Sequence, residues 1–170
     1  MAAVVTDIRV LVDRLLQTAK VPTGHPTWAH EHREGDVRLL LPLLVEGEIS
    51  EANLQIIAYP RSRSLRFRLN LLYGRAICRL DFVDDEEHVN SFKRPDDLQL
   101  GPFTCPHYHA WADNRVFATK TSLPERLENA RILDSNLKSF PNTFRWFCGQ
   151  TKIDLSGFDI PELPASDLLL

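Results

Sequence analysis

Cys105, His107, His109 and Trp111 alternate along the chain, and in an extended strand side chains two apart leave from one face. A thiol and two imidazoles aligned in this way offer two kinds of chemistry. As ligands, Cys105, His107 and His109 suit zinc or another borderline divalent metal, with His88, Asp113, His30 or His32 completing the sphere. Without a metal, His107 or His109 can act as general base with His88 as third member of the group. Arg115, Lys120 or the pair Arg68 and Arg79 would then stabilise a phosphate in its transition state. That combination belongs to a small nuclease or other phosphodiesterase. The plainer alternative makes the histidines half-buried strand residues bonded to backbone, and leaves the protein without a cofactor.

Charge points to a second kind of function. The net charge is -3, yet no acidic residue stands between Glu51 and Asp81, a window holding Arg61, Arg63, Arg66, Arg68, Arg75 and Arg79. Arginine's planar fork suits carboxylate or phosphate better than lysine's point charge does. Arg66, Arg68 and Arg79, with Arg115 and Lys120, are therefore the candidates for binding an anion or a nucleic acid. Otherwise they form a solvated sheet face paired with carboxylates from elsewhere.

Several classes are disfavoured. There is no Gly-x-x-x-x-Gly-Lys, Gly-x-Gly-x-x-Gly or Gly-x-Ser-x-Gly, which argues against nucleotide hydrolysis on a phosphate loop and against serine-esterase chemistry. Cys78, Cys105 and Cys148 are odd in number and widely spaced, as expected of a reducing compartment rather than a disulfide framework. No apolar run reaches the roughly 20 residues of a membrane span, and Asp7 stands where a leader would be basic. These features predict a cytoplasmic protein with no membrane contact. A chain of 170 residues, 44% hydrophobic, is long enough to bury one core, so one domain is expected over residues 1–156, followed by an extended acidic and apolar tail over 157–170.

The elements that must position these residues follow from periodicity. Val4, Ile8, Leu11, Leu15 and Leu16 predict a helix over about 3–20, and residues 21–36 read as a loop anchored by Trp28. Strands follow over 37–45, 53–59, 64–72 and 75–83. A two-residue turn at Tyr73-Gly74 sets Leu69 opposite Cys78, Phe67 opposite Leu80 and Leu65 opposite Phe82, with Arg68 opposite Arg79 and Arg66 opposite Asp81. Two arginines so placed need a counter-charge, Asp81 or a bound phosphate.

After an acidic turn at 84–87 and a long ordered loop over 88–103, a second hairpin is expected, 104–111 against 115–121. It turns Tyr108 to the core and sets Lys120 against His107. Ser122-Leu123-Pro124-Glu125 fits a capping box opening a helix to Ile132. A last helix carries Leu137, Phe140, Phe144, Phe147 and Cys148 on one face, kinked at Pro141. The fold class is α+β, an antiparallel meander sheet with an N-terminal helix and C-terminal helices packed on it.

The order Arg79-Leu80-Asp81, His88-x-Asn90, Gly101-Pro102, Pro106-His107-Tyr108-His109 and Trp111-Ala112-Asp113 resembles the core of a small uncharacterised family of bacteria and phages, over about residues 53–150. The chain departs from that pattern by placing Phe103-Thr104-Cys105 between Gly-Pro and Pro-His, and by its helix and loop before residue 36. The resemblance implies a fold and a neighbourhood among mobile elements, and no mechanism. The expected function is a non-enzymatic binding protein whose basic sheet face or tail meets a protein or nucleic acid, with the nuclease as the alternative. The arginines separate the two: a pocket shared with His107 favours catalysis, an opposite face favours binding.

Overall fold

A computed structural model describes residues 6–30, 35–83, 86–104 and 106–165, the side chain of His30 excepted. Helix α1, Ile8–Gln17, starts on Asp7, whose carboxylate accepts from the Arg9 amide at 3.0 Å, and it buries Val12 and Leu15. It stops before residue 20 because Lys20 is drawn into strand β1, Lys20–Pro22. Lys20 is wholly buried and donates Nζ to the carbonyls of Leu15 and Thr18 at 2.6 and 2.7 Å, so its ammonium caps the C-terminal end of α1. Burial pushes its pKa down to about 8.

The segment expected as a loop holds β1 and a further strand, β2, Trp28–His30. Both pair with β3, Val37–Val45. Trp28 does anchor it, donating Nε1 to the Glu162 carbonyl at 3.2 Å. His32 lies outside the described residues.

The meander then runs through β4, Glu48–Ala58, β5, Phe67–Tyr73, and β6, Arg75–Phe82. Its core face is the apolar alternation itself: Leu39, Leu41, Leu54, Ile56, Phe67, Leu69, Leu71, Leu80 and Phe82 are all buried. The hairpin between β5 and β6 turns on Gly74, at φ +69°, with Tyr73 opposite Arg75, and a bulge between Leu71 and Leu72 shifts the ladder again. Phe67 therefore pairs with Phe82, Leu69 with Leu80 and Arg68 with Asp81. The apolar residues keep their expected side; their partners move by two.

Beyond the meander come the short pair β7, Glu87–His88, and β8, Phe103–Thr104, then β9, His107–His109, helix α2, Trp111–Asn114, a 3-10 turn at Arg115–Phe117, β10, Arg131–Ile132, and helix α3, Phe140–Gln150. The main sheet is ordered β1-β3-β4-β5-β6-β9-β10 with β2 also on β3, and every pair is antiparallel. The architecture is α+β. Val12 and Leu15 of α1 and Phe140, Phe144, Phe147 and Cys148 of α3 join the core on one face of the sheet.

The second expected hairpin is absent: α2 and the 3-10 turn occupy its place, and β9 pairs with β6 and β10. Tyr108 nevertheless faces the core, edge-on to Trp146 and Phe147. The capping-box helix does not form either. Residues 123–130 stay irregular because side chains from elsewhere take their backbone groups, as described below. Pro141 sits in the first turn of α3, where its missing N–H costs nothing, and makes no kink.

Past α3 the chain runs parallel to β1 through Ile153 and packs Leu155, Phe158, Ile160 and Leu163 against the core. Among the described residues no helix is long and apolar enough to cross a membrane.

Candidate functional site

The face of the sheet away from the core carries the chemistry. Period-two alternation on β5, β6 and β9 sends Arg68, Arg79, Asp81, His107 and His109 there, and the register places Asp81 opposite both Arg68 and His107, and Arg79 opposite His109. The loops over 86–104 and 126–131 cover this patch. Asp81 and His109 are 0% exposed and His107 2%.

Asp81 is the hub. Its Oδ2 accepts from Arg79 Nε at 2.7 Å and lies 3.3 Å from His107 Nε2 and 3.2 Å from His109 Nε2. Arg68 Nε stands 2.7 Å from its Oδ1, a close ion contact without good hydrogen-bond alignment, and Arg68 Nη2 also pairs with Glu86. Burial alone would raise the carboxyl, but its contacts with His107 and Arg79 outweigh burial and hold it well below the usual carboxylate range.

Hydrogen bonds fix two of the three rings. His109 Nδ1 lies 3.0 Å from the Asn129 carbonyl, which can only accept, so Nδ1 carries the proton and Nε2 the lone pair, which takes an N–H from Arg79 Nη2 at 2.8 Å. Burial pushes this imidazole down to about 3. His88, half-buried on β7, has Nε2 at 3.0 Å from Asn90 Oδ1 and 3.1 Å from the Glu128 carbonyl, so its lone pair is on Nδ1. Burial, with His107 beside it, lowers its proton affinity too. Gly101 lets the β7 loop seat close by: at φ +113°, a Cβ there would meet the His88 carbonyl and Val89 Cα at 3.1 Å.

These neutral imidazoles have a consequence for stability. The unfolded chain takes up protons near pH 6.5 while folded His109 refuses them down to about 3, so stability falls as pH drops through that window. Asp81 adds to the loss below about pH 4, where only the unfolded carboxylate is protonated. From pH 7 to pH 5 the loss from His109 alone is about 2 kcal/mol, read as a falling urea midpoint. A midpoint that rose would mean that the folded rings are charged.

Of the residues singled out by sequence, the fold brings His88, His107, His109, Arg68 and Arg79 together. Arg66 instead lies over the Tyr59 ring, its guanidinium carbon 5.0 Å from the ring centre. Arg115 is paired with Asp13 of α1 at 2.8 Å, and Lys120 does not face His107, because residues 115–121 form no strand; its carbonyl accepts from Ile8 instead. Asp113 is not a spare ligand, since Arg131 grips both its oxygens at 2.7 Å. Cys105 lies outside the described residues.

Sequence reasoning missed Asn129, which is wholly buried. It donates Nδ2 to the Asp113 and Lys93 carbonyls, accepts at Oδ1 from the Ser91 amide, and its carbonyl holds His109. Asn90 matches it, donating to the Gln99 and Ala130 carbonyls and accepting at Oδ1 from the Ala130 amide. The His88-x-Asn90 spacing was the one local sign of it. No protein-family model, curated protein or solved structure matches the chain.

Proposed function

We propose that the Asp81 cluster is the centre of a small phosphodiester-hydrolysing protein. The observation that carries this reading is the position of the arginines: Arg68 and Arg79 share Asp81 with His107 and His109, where a binding surface would set them on a separate face. Both guanidinium side chains are about one-third exposed or less, at 27% and 31%, and each has N–H groups beyond those given to Asp81, Glu86 and His109 with which to hold an anionic ester. Neutral imidazoles supply the lone pairs that activate water. In the reaction a water oxygen bonds to phosphorus, the ester P–O bond breaks, the leaving oxygen is protonated to an alcohol, and one water proton passes to solvent.

A nucleic-acid substrate draws support from Phe92, 87% exposed on the loop after His88 and followed by Lys93 and Arg94, an aromatic and basic pairing suited to a stacked base and its phosphate. The resemblance of the Arg-Leu-Asp, His-x-Asn and Pro-His-x-His motifs is the support for a setting among mobile elements.

The test is hydrolysis of single-stranded RNA, single-stranded DNA and bis(p-nitrophenyl) phosphate, with and without added divalent metal. Turnover is expected for the native chain and a loss of about 100-fold for His88→Ala. No turnover on any of the three, or equal turnover in the variant, would refute the reading and return the cluster to a binding or structural role.

A further inference from the structure

We infer that His88, His107 and His109 together form a site for one divalent transition-metal ion, zinc in the first instance. Their ring centroids form a near-equilateral triangle, each pair 4.9 Å apart. One ligand nitrogen from each lies within 4.8 Å of the others. A tetrahedral centre with Zn–N bonds of about 2.0–2.1 Å sets imidazole centroids roughly 5 Å apart, so the centroids stand at that spacing, and the nitrogens draw in to roughly 3.4 Å from one another on binding.

Orientation agrees with spacing. Metal-bound imidazoles nearly always give their other N–H to a carbonyl or carboxylate, which fixes the ring and its tautomer. Here His88 Nε2 meets the Glu128 carbonyl, His109 Nδ1 meets the carbonyl of the next residue, Asn129, and the Asp81 carboxylate stands by His107. Lone pairs of His88 and His109 are thereby left on Nδ1 and Nε2. Asp81 serves as the charge behind the His107 ring, and both its oxygens are already engaged by Arg68 and Arg79. With Glu86 on Arg68, the two acids and two arginines cancel formally, and three imidazole nitrogens suit zinc, copper, nickel or iron better than magnesium or calcium. Three protein ligands leave a fourth position for water, the arrangement of a catalytic centre, and the half-buried His88 is the member nearest solvent.

Two groups already stand at the His109 ligand nitrogen, and Asp81 Oδ2, 3.2 Å from it, is one of them. The other, Arg79 Nη2, uses the His109 Nε2 lone pair at 2.8 Å, so metal binding exchanges that contact. A metal-bound water is already acidic and can attack phosphorus as hydroxide; this catalytic use rests on the hydrolytic reading above, whereas the binding does not.

The experiment is titration of the metal-free full chain with zinc by calorimetry and with cobalt(II) by visible absorption. Expected are one ion per chain, four-coordinate cobalt bands, an affinity at least 100-fold weaker in His88→Ala, and no change in His25→Ala, an exposed control. Arg79→Gln is expected to bind more tightly. Absence of stoichiometric binding, or binding unchanged by His88→Ala, overturns the site. Hydrolysis that persists in chelator-treated protein with no bound metal overturns the catalytic use of the ion and spares the hydrolase; binding with no hydrolysis upholds the site and removes the hydrolase.

Discussion

Asp81→Ala is expected to lose about 3–5 kcal/mol of stability, because removing one partner of a buried ion pair leaves the others charged and uncompensated. Two arginines, 27% and 31% exposed, pair with this carboxylate, which is itself wholly buried. Asp81→Asn keeps the shape but not the charge and is expected to recover only a small part of the loss. The measurement is urea unfolding of the three proteins at pH 7. A loss under about 1 kcal/mol for the alanine variant would mean that the arginines find water in the folded state, as exposed ion pairs do.

Asn129→Ala is expected to cost about 3 kcal/mol or more, from a side chain that carries no charge. Truncation strips partners at once from the Asp113 carbonyl, in a buried bond, and from the Ser91 amide and Lys93 carbonyl, in part-buried ones, and a buried group left unsatisfied costs about 1–3 kcal/mol. The backbone bond to His109 survives the substitution, so the ring keeps its tautomer unless the strand moves. Urea unfolding gives the magnitude, and amide exchange at Ser91, expected to speed up, gives the location. Unchanged exchange at Ser91 would contradict the assignment of that bond.

What the sequence disclosed depended on how far each signal reaches along the chain. Side-chain parity on β5 and β6 was legible because burial selects it residue by residue: Phe67, Leu69 and Leu80 had to share a face whatever the turn. Register was not, since it is set at Gly74 and at the bulge beside Leu71, where nothing in the composition marks an extra residue. The strand over 107–109 was read correctly and its neighbour wrongly. The alternation in 115–121 looked like a partner, but the open edge of β6 was available, and β10 closed the other side of β9 from more than twenty residues away. The capping box at 122–125 lost for a related reason, with the carbonyls of Glu128, Asn129 and Ala130 spent on His88, His109 and Asn90. Asp81 could be named in advance as a counter-charge because its neighbours were local. Asn129 could not, since its side-chain partners lie 16 to 38 residues away.

The margins of the sheet bear on solubility. Strand β3 reads VRLLLPLLV, nine residues of high β-propensity with one charge, interrupted by Pro42. It is kept as an interior strand, with β4 along one side and the three-residue β1 and β2 along the other. At the far margin stands β10, two residues long. Strands this short offer an incoming chain too few free amides and carbonyls to extend the sheet, and Pro42 withholds one more donor within β3 itself. The edge of β3 is thus covered by β1 and β2, so a cut between β2 and β3 that released them would leave one side of an apolar strand unpaired.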